Sequence, residues 1–183
     1  MDLCTYHSHC NFCDGKAPAE DFVRAAIEAG FHSYGISSHS PLPFETRWSL
    51  SKGNVEAYLM EIKCLQEKYA GQIELYVGME IDYLNDDWGP AVEYFQRMPL
   101  DYRIGSVHLV TEEQTGEIMD MDGKFEDFRE NLRMVFRDDL KYLVEAYFKA
   151  SSRMVELGGF DFVAHLDKIS MNGSLMDSTL TTQ

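Results

Sequence analysis

His7 and His9 stand one residue apart near the start of the chain, in "HSHCNFCDG", with Asp14 close behind. His39 follows in "SSHSPLP", Glu80 and Asp82 in "GMEIDY", His108 in "GSVH", and His165 and Asp167 in "AHLD". Imidazole nitrogens and carboxylate oxygens are ordinary ligands for Zn, Mn and Fe. Any one of these histidines is better read as structural than as a ligand. Several gathered at one place would be costly to bury without partners. A metal cluster removes that difficulty, provided the fold brings the residues together.

The pattern along the chain supplies the means. Short apolar runs alternate with longer amphipathic ones. Strands are expected over residues 3–9, 33–39, 73–83, 101–110 and 160–169. Helices are expected over 17–31, 51–71, 87–98 and about 125–157, the last as one helix or two. Gly30 and Gly71 stop the first two helices. Such β-α alternation argues for parallel strands with helices outside. Side chains two apart on a strand share a face, which pairs His7 with His9 and Glu80 with Asp82. His39, His108 and His165 fall late in their strands. The C-terminal ends of parallel strands are where α/β folds place their sites. His32 follows the Gly30 stop and reads as a surface or packing residue. Residues 1–170 read as one folded unit, and 171–183 as a loop or tail.

Composition bounds the function classes. A hydrophobic content of 45% supports a sizeable core. A formal charge of −15 disfavours nucleic acid and anionic membrane surfaces as partners. Bound cations can still reverse the local field for an anionic small molecule. No apolar run approaches the roughly 20 residues of a membrane helix. The N-terminus lacks a signal-peptide pattern, so a cytoplasmic setting with reduced thiols is expected for Cys4, Cys10, Cys13 and Cys64. Cys10 and Cys13 form a CxxC with no second cysteine pair, which favours structural thiols over a zinc site.

Five segments in order, "HSH", "SSHSPLP", "GMEIDY", "GSVH" and "AHLD", resemble the polymerase-and-histidinol-phosphatase (PHP) superfamily. "HSHCNFCDG", "GMEIDY" and "DYRIGSVH" are most similar to its histidinol-phosphate phosphatase branch, and the resemblance covers residues 5–170. It implies a distorted (β/α)7 TIM-like barrel, here incomplete, with about five parallel strands present. It also implies up to three divalent metals, Mn, Zn or Fe. His7, His9 and Glu80 resemble ligands of the first metal. Glu80, His108 and His165 resemble those of the second, and Asp14 and His39 those of the third. Asp14 also suits a turn with Gly15.

The family pattern continues through two more strands to an Asp-x-His motif, which this sequence lacks. The chain therefore resembles the first two-thirds of such an enzyme. The resemblance implies hydrolysis of a small phosphorylated substrate, L-histidinol phosphate, in histidine biosynthesis. Glu80, His108 and His165 would act through a metal-activated water. Arg47 and Lys52 are candidates for steering phosphate, with solvated loop charges as the competing reading. Asp82 and Asp167 are candidates for orienting ligands, against a salt bridge or cap. Another phosphoesterase substrate, nucleotide or nuclease-like, is the alternative, as is a metal-binding but inactive chain. Open barrel edges would favour a homodimer or strand exchange.

Overall fold

The computed structural model describes residues 2–180, so the last three residues of the expected tail lie outside the described residues. Five parallel strands form one sheet in the order β1-β2-β3-β4-β7. They are β1 (Leu3–Thr5), β2 (Phe31–Ile36), β3 (Glu74–Asp82), β4 (Tyr102–Ser106) and β7 (Phe162–Val163). Helix α1 (Ala19–Glu28) crosses from β1 to β2, and α2 (Val55–Lys68) from β2 to β3. The short α3 (Glu93–Gln96) precedes β4, and α4 (Phe125–Phe136) and α5 (Leu140–Leu157) precede β7.

Strand β3 shows how the sheet is built. Leu75, Val77, Met79 and Ile81 point one way, into a core with Val23 and Ala26 of α1 and Tyr58, Ile62 and Leu65 of α2. The alternate residues Tyr76, Gly78, Glu80 and Asp82 belong to the opposite face. On that face Tyr6, Tyr76, Tyr102, Ile104 and Ala164 make a separate small cluster. The Tyr102 ring lies flat against the backbone of its neighbours. A Cβ added at Gly78 would sit 2.2 Å from that ring, and one at Gly35 would sit 2.3 Å from its hydroxyl. Tyr102 Oη also donates to the carbonyl of Tyr6 at 2.6 Å, tying β4 to the segment that carries His7.

From the helical side, the fully buried Tyr58 hydroxyl reaches the carbonyls of Ile36 (2.9 Å) and Gly78 (2.7 Å) and accepts from Ser38 N–H (3.4 Å). One side chain of α2 thus links the end of β2 to the middle of β3, sharing its single proton between two carbonyls and accepting one backbone N–H.

Several elements differ from the sequence expectation. The 101–110 run is not one strand. It breaks after Ser106, and Leu109–Thr111 (β5) pairs instead with Ile118–Asp120 (β6) in an antiparallel hairpin. Of the one helix or two expected over about 125–157, the structure has two, broken where Arg137 and Asp138 take positive φ (54° and 62°). Asp139 then caps α5 by accepting from Tyr142 N–H at 2.9 Å. The fifth strand is cut to two residues, and the third helix to a single turn. The expected loop after residue 170 is instead helix α6, Ser170–Leu180. Its Asn172 donates to the Met121 carbonyl at 3.2 Å, which seats it against the hairpin.

The hairpin, α4 and α5 share a second core around Met119, Met121, Phe128, Leu132, Leu143 and Tyr147. Among the described residues no helix is long and apolar enough to cross a membrane.

Gly78→Ala is expected to lower stability by about 1–3 kcal/mol, because the ring must shift in a packed interior. Gly53→Ala, where nothing lies within 4 Å of the added Cβ, should leave the melting temperature nearly unchanged. Comparing the two variants by thermal denaturation checks the close approach.

Candidate metal centre

Glu80 lies inside β3, yet its side chain is fully buried on the open face of the sheet. Its Oε2 has His7 Nε2 at 3.1 Å, His9 Nε2 at 3.2 Å and His39 Nδ1 at 3.3 Å. Its Oε1 has His165 Nε2 at 3.1 Å and His108 Nε2 at 3.6 Å. Five imidazoles from four segments of the chain thus surround one carboxylate.

Each histidine is carried just past the regular part of its strand. His7 and His9 follow β1, where Ser37 N–H donates to Ser8 O at 2.8 Å and keeps the two segments aligned. His39 follows β2 and forms an isolated parallel bridge with Glu80. His108 sits in the turn between β4 and β5, and His165 follows β7. The strands end early because the chain leaves the ladder to converge on the site.

This crowding is hard to explain by hydrogen bonding alone. Three imidazole nitrogens stand within 3.3 Å of Glu80 Oε2, but none is aligned, and the atom has no hydrogen-bond partner. His39 Nδ1 is likewise buried and unpartnered. His108 Nε2 and His165 Nε2 face each other at 3.2 Å, a contact that needs one of the two nitrogens unprotonated. Unsatisfied buried polar atoms are rare and costly. Divalent cations between these groups would satisfy them all. Three donor groups have the spacing to hold an ion: His7–His9–Glu80, His9–Asp14–His39 and His39–Glu80–His108.

Protonation preferences differ across the cluster: without a cation Glu80 is ionised and His39 neutral, while His9 and His108 hold a proton that a bound cation would displace. Burial raises the Glu80 carboxyl, but the close imidazoles of His165, His7 and His9 outweigh it and hold the group well below the usual range. Burial, reinforced by neighbouring histidines, pushes His39 down to about 2, so its ring is neutral. Burial also pulls His108 down, but the charge and hydrogen bond of Asp82 overcome it and raise the ring to about 9. Burial is likewise overcome at His9, which the neighbouring Cys13 and Glu80 raise to about 10.

Asp82 lies where an orienting group is needed. Its Oδ1 is 2.8 Å from His108 Nδ1 and accepts His108 N–H at 3.0 Å, which turns Nε2 toward Glu80. Asp167 does not reach the cluster. Its carbonyl accepts Ser170 N–H at 2.8 Å at the start of α6. Arg47 and Lys52 do not line the cavity either. Arg47 is exposed, and Lys52 Nζ sits 4.6 Å over the Trp88 ring. His32 is exposed, 3.9 Å from Glu74.

The cluster forms the floor of a cavity of about 500 Å³. Its far wall comes from residues the sequence reading passed over: Trp48, Asp120, Asp122 and Lys168. Trp48 Nε1 donates to Asp120 Oδ2 at 2.9 Å. Lys168 Nζ lies 2.5 Å from Asp122 Oδ1, while Asp122 Oδ2 is 3.9 Å from His108 Nε2. A signal for the two aspartates was present. In "MDMDG" the methionines are buried at strand period two, which turns Asp120 and Asp122 to the other face.

The family model for the PHP domain matches residues 5–181. The chain belongs to the PHP domain family. A Deinococcus radiodurans relative, named probable histidinol-phosphatase, is 26% identical over 174 residues; the match takes in 90% of this chain and 60% of that protein. The chain thus spans less than two thirds of that relative's length. In fold, the structure of HisK from Listeria monocytogenes matches with a TM-score of 0.73 at 24% identity, over 92% of this chain and 68% of that one. The Lactococcus lactis histidinol phosphate phosphatase, solved with zinc, L-histidinol and phosphate, matches with a TM-score of 0.61 at 20% identity, over 91% and 59%. The parallel sheet of this PHP domain is therefore five strands of a TIM-like barrel wall.

Asp82→Asn should loosen the His108 ring and weaken metal affinity by about 10–100-fold, the usual cost of losing a ligand's hydrogen-bond partner. Competition with a chromogenic chelator measures this, and an unchanged affinity would remove Asp82 from the centre.

Proposed function

We propose that this chain carries the metal centre of a divalent-metal-dependent phosphomonoesterase whose substrate is L-histidinol phosphate. The observation that carries the reading is the buried Glu80 carboxylate ringed by five imidazoles at the floor of an open cavity. The named relatives support the substrate, and the zinc complex of the Lactococcus lactis protein supports zinc among Zn, Mn and Fe. Four free cysteines suit the reducing cytoplasm in which histidine biosynthesis would run.

His7, His9 and Glu80 would hold one cation, Glu80 with His108 and His165 a second, and Asp14 with His39 a third. When bound, such cations neutralise phosphate oxygens and acidify water for attack on phosphorus. The protein's own groups do the rest. Glu80, ionised and unable to turn, fixes the spacing of the histidines. Asp82 holds the His108 ring in one orientation. Lys168 is the cationic side chain of the cavity wall and can take a phosphate oxygen by releasing Asp122. Asp122, so released, is placed to accept the ammonium group of an amino-alcohol phosphate. Bound cations at the cavity floor would offset the acidic surface of the molecule toward an anionic substrate.

Phosphate release from L-histidinol phosphate should stop on chelation and return with added manganese or zinc. Glu80→Gln should lower kcat by about 100-fold or more, as loss of a central electrostatic group does. Equal cleavage of unrelated monoesters by the metal-loaded protein would overturn the substrate, and no cleavage of any monoester would overturn the activity.

We also propose self-association through the sheet edges. Strands β1 and β7 each pair on one side only among the described residues, and Leu3 and Phe162 are exposed beside them. Unpaired edges recruit further strands. Sedimentation should show a dimer or larger species, and a monomer at working concentration would contradict this.

A further inference from the structure

The CxxC of the opening segment has no part in the function proposed above, yet its second thiol lies against the metal centre. Cys13 Sγ is 3.5 Å from His9 Nδ1 and 3.5 Å from Asp14 Oδ1. His9 Nδ1 is itself 3.5 Å from Asp14 Oδ1. Three donor atoms of three types therefore stand at the corners of a nearly equilateral triangle. His39 Nε2 approaches the same Asp14 oxygen at 3.8 Å, while the buried Nδ1 of that ring has no hydrogen-bond partner.

These spacings are those of a coordination shell. A tetrahedral ion with bonds of about 2.0–2.3 Å holds its N, O and S ligands roughly 3.3–3.8 Å apart. The thiol can give its proton to the Cys10 carbonyl at 3.5 Å, and the His9 and Asp14 atoms at the same distance are more than that hydrogen bond requires.

The loop is built to hold the thiol there. Cys10 is fully buried and its Sγ meets Ser38 Oγ at 3.3 Å. The Cys10 carbonyl accepts Cys13 N–H at 3.0 Å and Gly15 N–H at 3.1 Å. A Cβ at Gly15 would lie 2.5 Å from the Cys10 backbone, so the turn closes only with glycine. Cys10 is thus the anchor and Cys13 the residue presented. The other ring nitrogen of His9 faces Glu80 at 3.2 Å, the carboxylate contact that commonly orients a ligating imidazole.

We propose that Cys13 is a metal ligand, joining Asp14 and the facing edges of His9 and His39 in a thiolate-containing site for a borderline divalent ion such as zinc. On binding, the Cys13 thiol loses its proton to solvent and the sulfur lone pair forms the bond to the ion. Thiolate and carboxylate together balance the charge of a dication; His9 serves this ion through Nδ1 in place of the first cation, so its ring stays neutral with the other nitrogen protonated toward Glu80. A soft sulfur donor favours zinc or cobalt over manganese and magnesium at this position. The inference needs the centre to bind metal but does not need it to hydrolyse phosphate.

Cobalt(II) added to the metal-free protein reads the bond directly. The wild type should show a near-ultraviolet sulfur-to-cobalt charge-transfer band together with the visible bands of bound cobalt. Cys13→Ser should keep the visible bands and lose the charge-transfer band, while Cys64→Ser, at an exposed thiol, should keep both. Zinc affinity by chelator competition should fall about tenfold or more in Cys13→Ser, with manganese affinity little changed. Visible bands without a charge-transfer band in the wild type, or a charge-transfer band surviving in Cys13→Ser, would overturn the ligand role and leave the phosphatase reading intact. No cobalt bands at all would overturn both.

Discussion

A carboxylate cannot be buried alone, and the structure is organised around that constraint. Glu80 is inaccessible to solvent and sits in the longest strand of the sheet. An isolated buried charge of this kind costs far more than one folded domain can absorb. The chain meets the cost by converging five imidazoles on the two oxygens. They come from the ends of strands β1, β2, β4 and β7, so the site can form only if the parallel order β1-β2-β3-β4-β7 forms. The site and the sheet therefore specify each other. Tyr58 and Tyr102 serve the same end from opposite faces, one bridging backbone groups of β2 and β3 and the other clamping β4 to the His7 segment.

Much of this is legible in the sequence, because it rests on period-two patterning. The alternation in "ELYVGMEID" assigns Met79 and Ile81 to the helices and Glu80 and Asp82 to the opposite face without any structure. The histidines needed only their place after an apolar run. What escapes is what depends on contact. The β5–β6 hairpin is hidden inside a run that reads as one strand, because "GSVHLV" has no glycine or proline at its break. The α6 helix is short of apolar period, and contacts such as Asn172 to the hairpin hold it. Lys168 gives no sequence signal, since its role comes from the turn after His165 that brings it to Asp122.

The cavity wall shows how an acidic protein can receive an anion. Its aspartates are each engaged, Asp120 by Trp48 and Asp122 by Lys168. They meet a substrate as positioned hydrogen-bonding groups, and the Lys168–Asp122 pair can part to meet a phosphate on one side and an ammonium on the other. Such exchange at a half-buried pair costs little, because partly exposed ion pairs contribute only modestly to stability. The selectivity proposed for an amino-alcohol phosphate would rest on the same two residues.

The central claim is that Glu80 and its histidines exist to hold metal. Elemental analysis of the chain after zinc loading and exhaustive dialysis tests it most directly. More than one tightly held zinc ion per wild-type chain, and fewer in a folded Glu80→Gln variant, is the result predicted here. A wild-type chain that retains no zinc, or a variant that retains as much as the wild type, would contradict it.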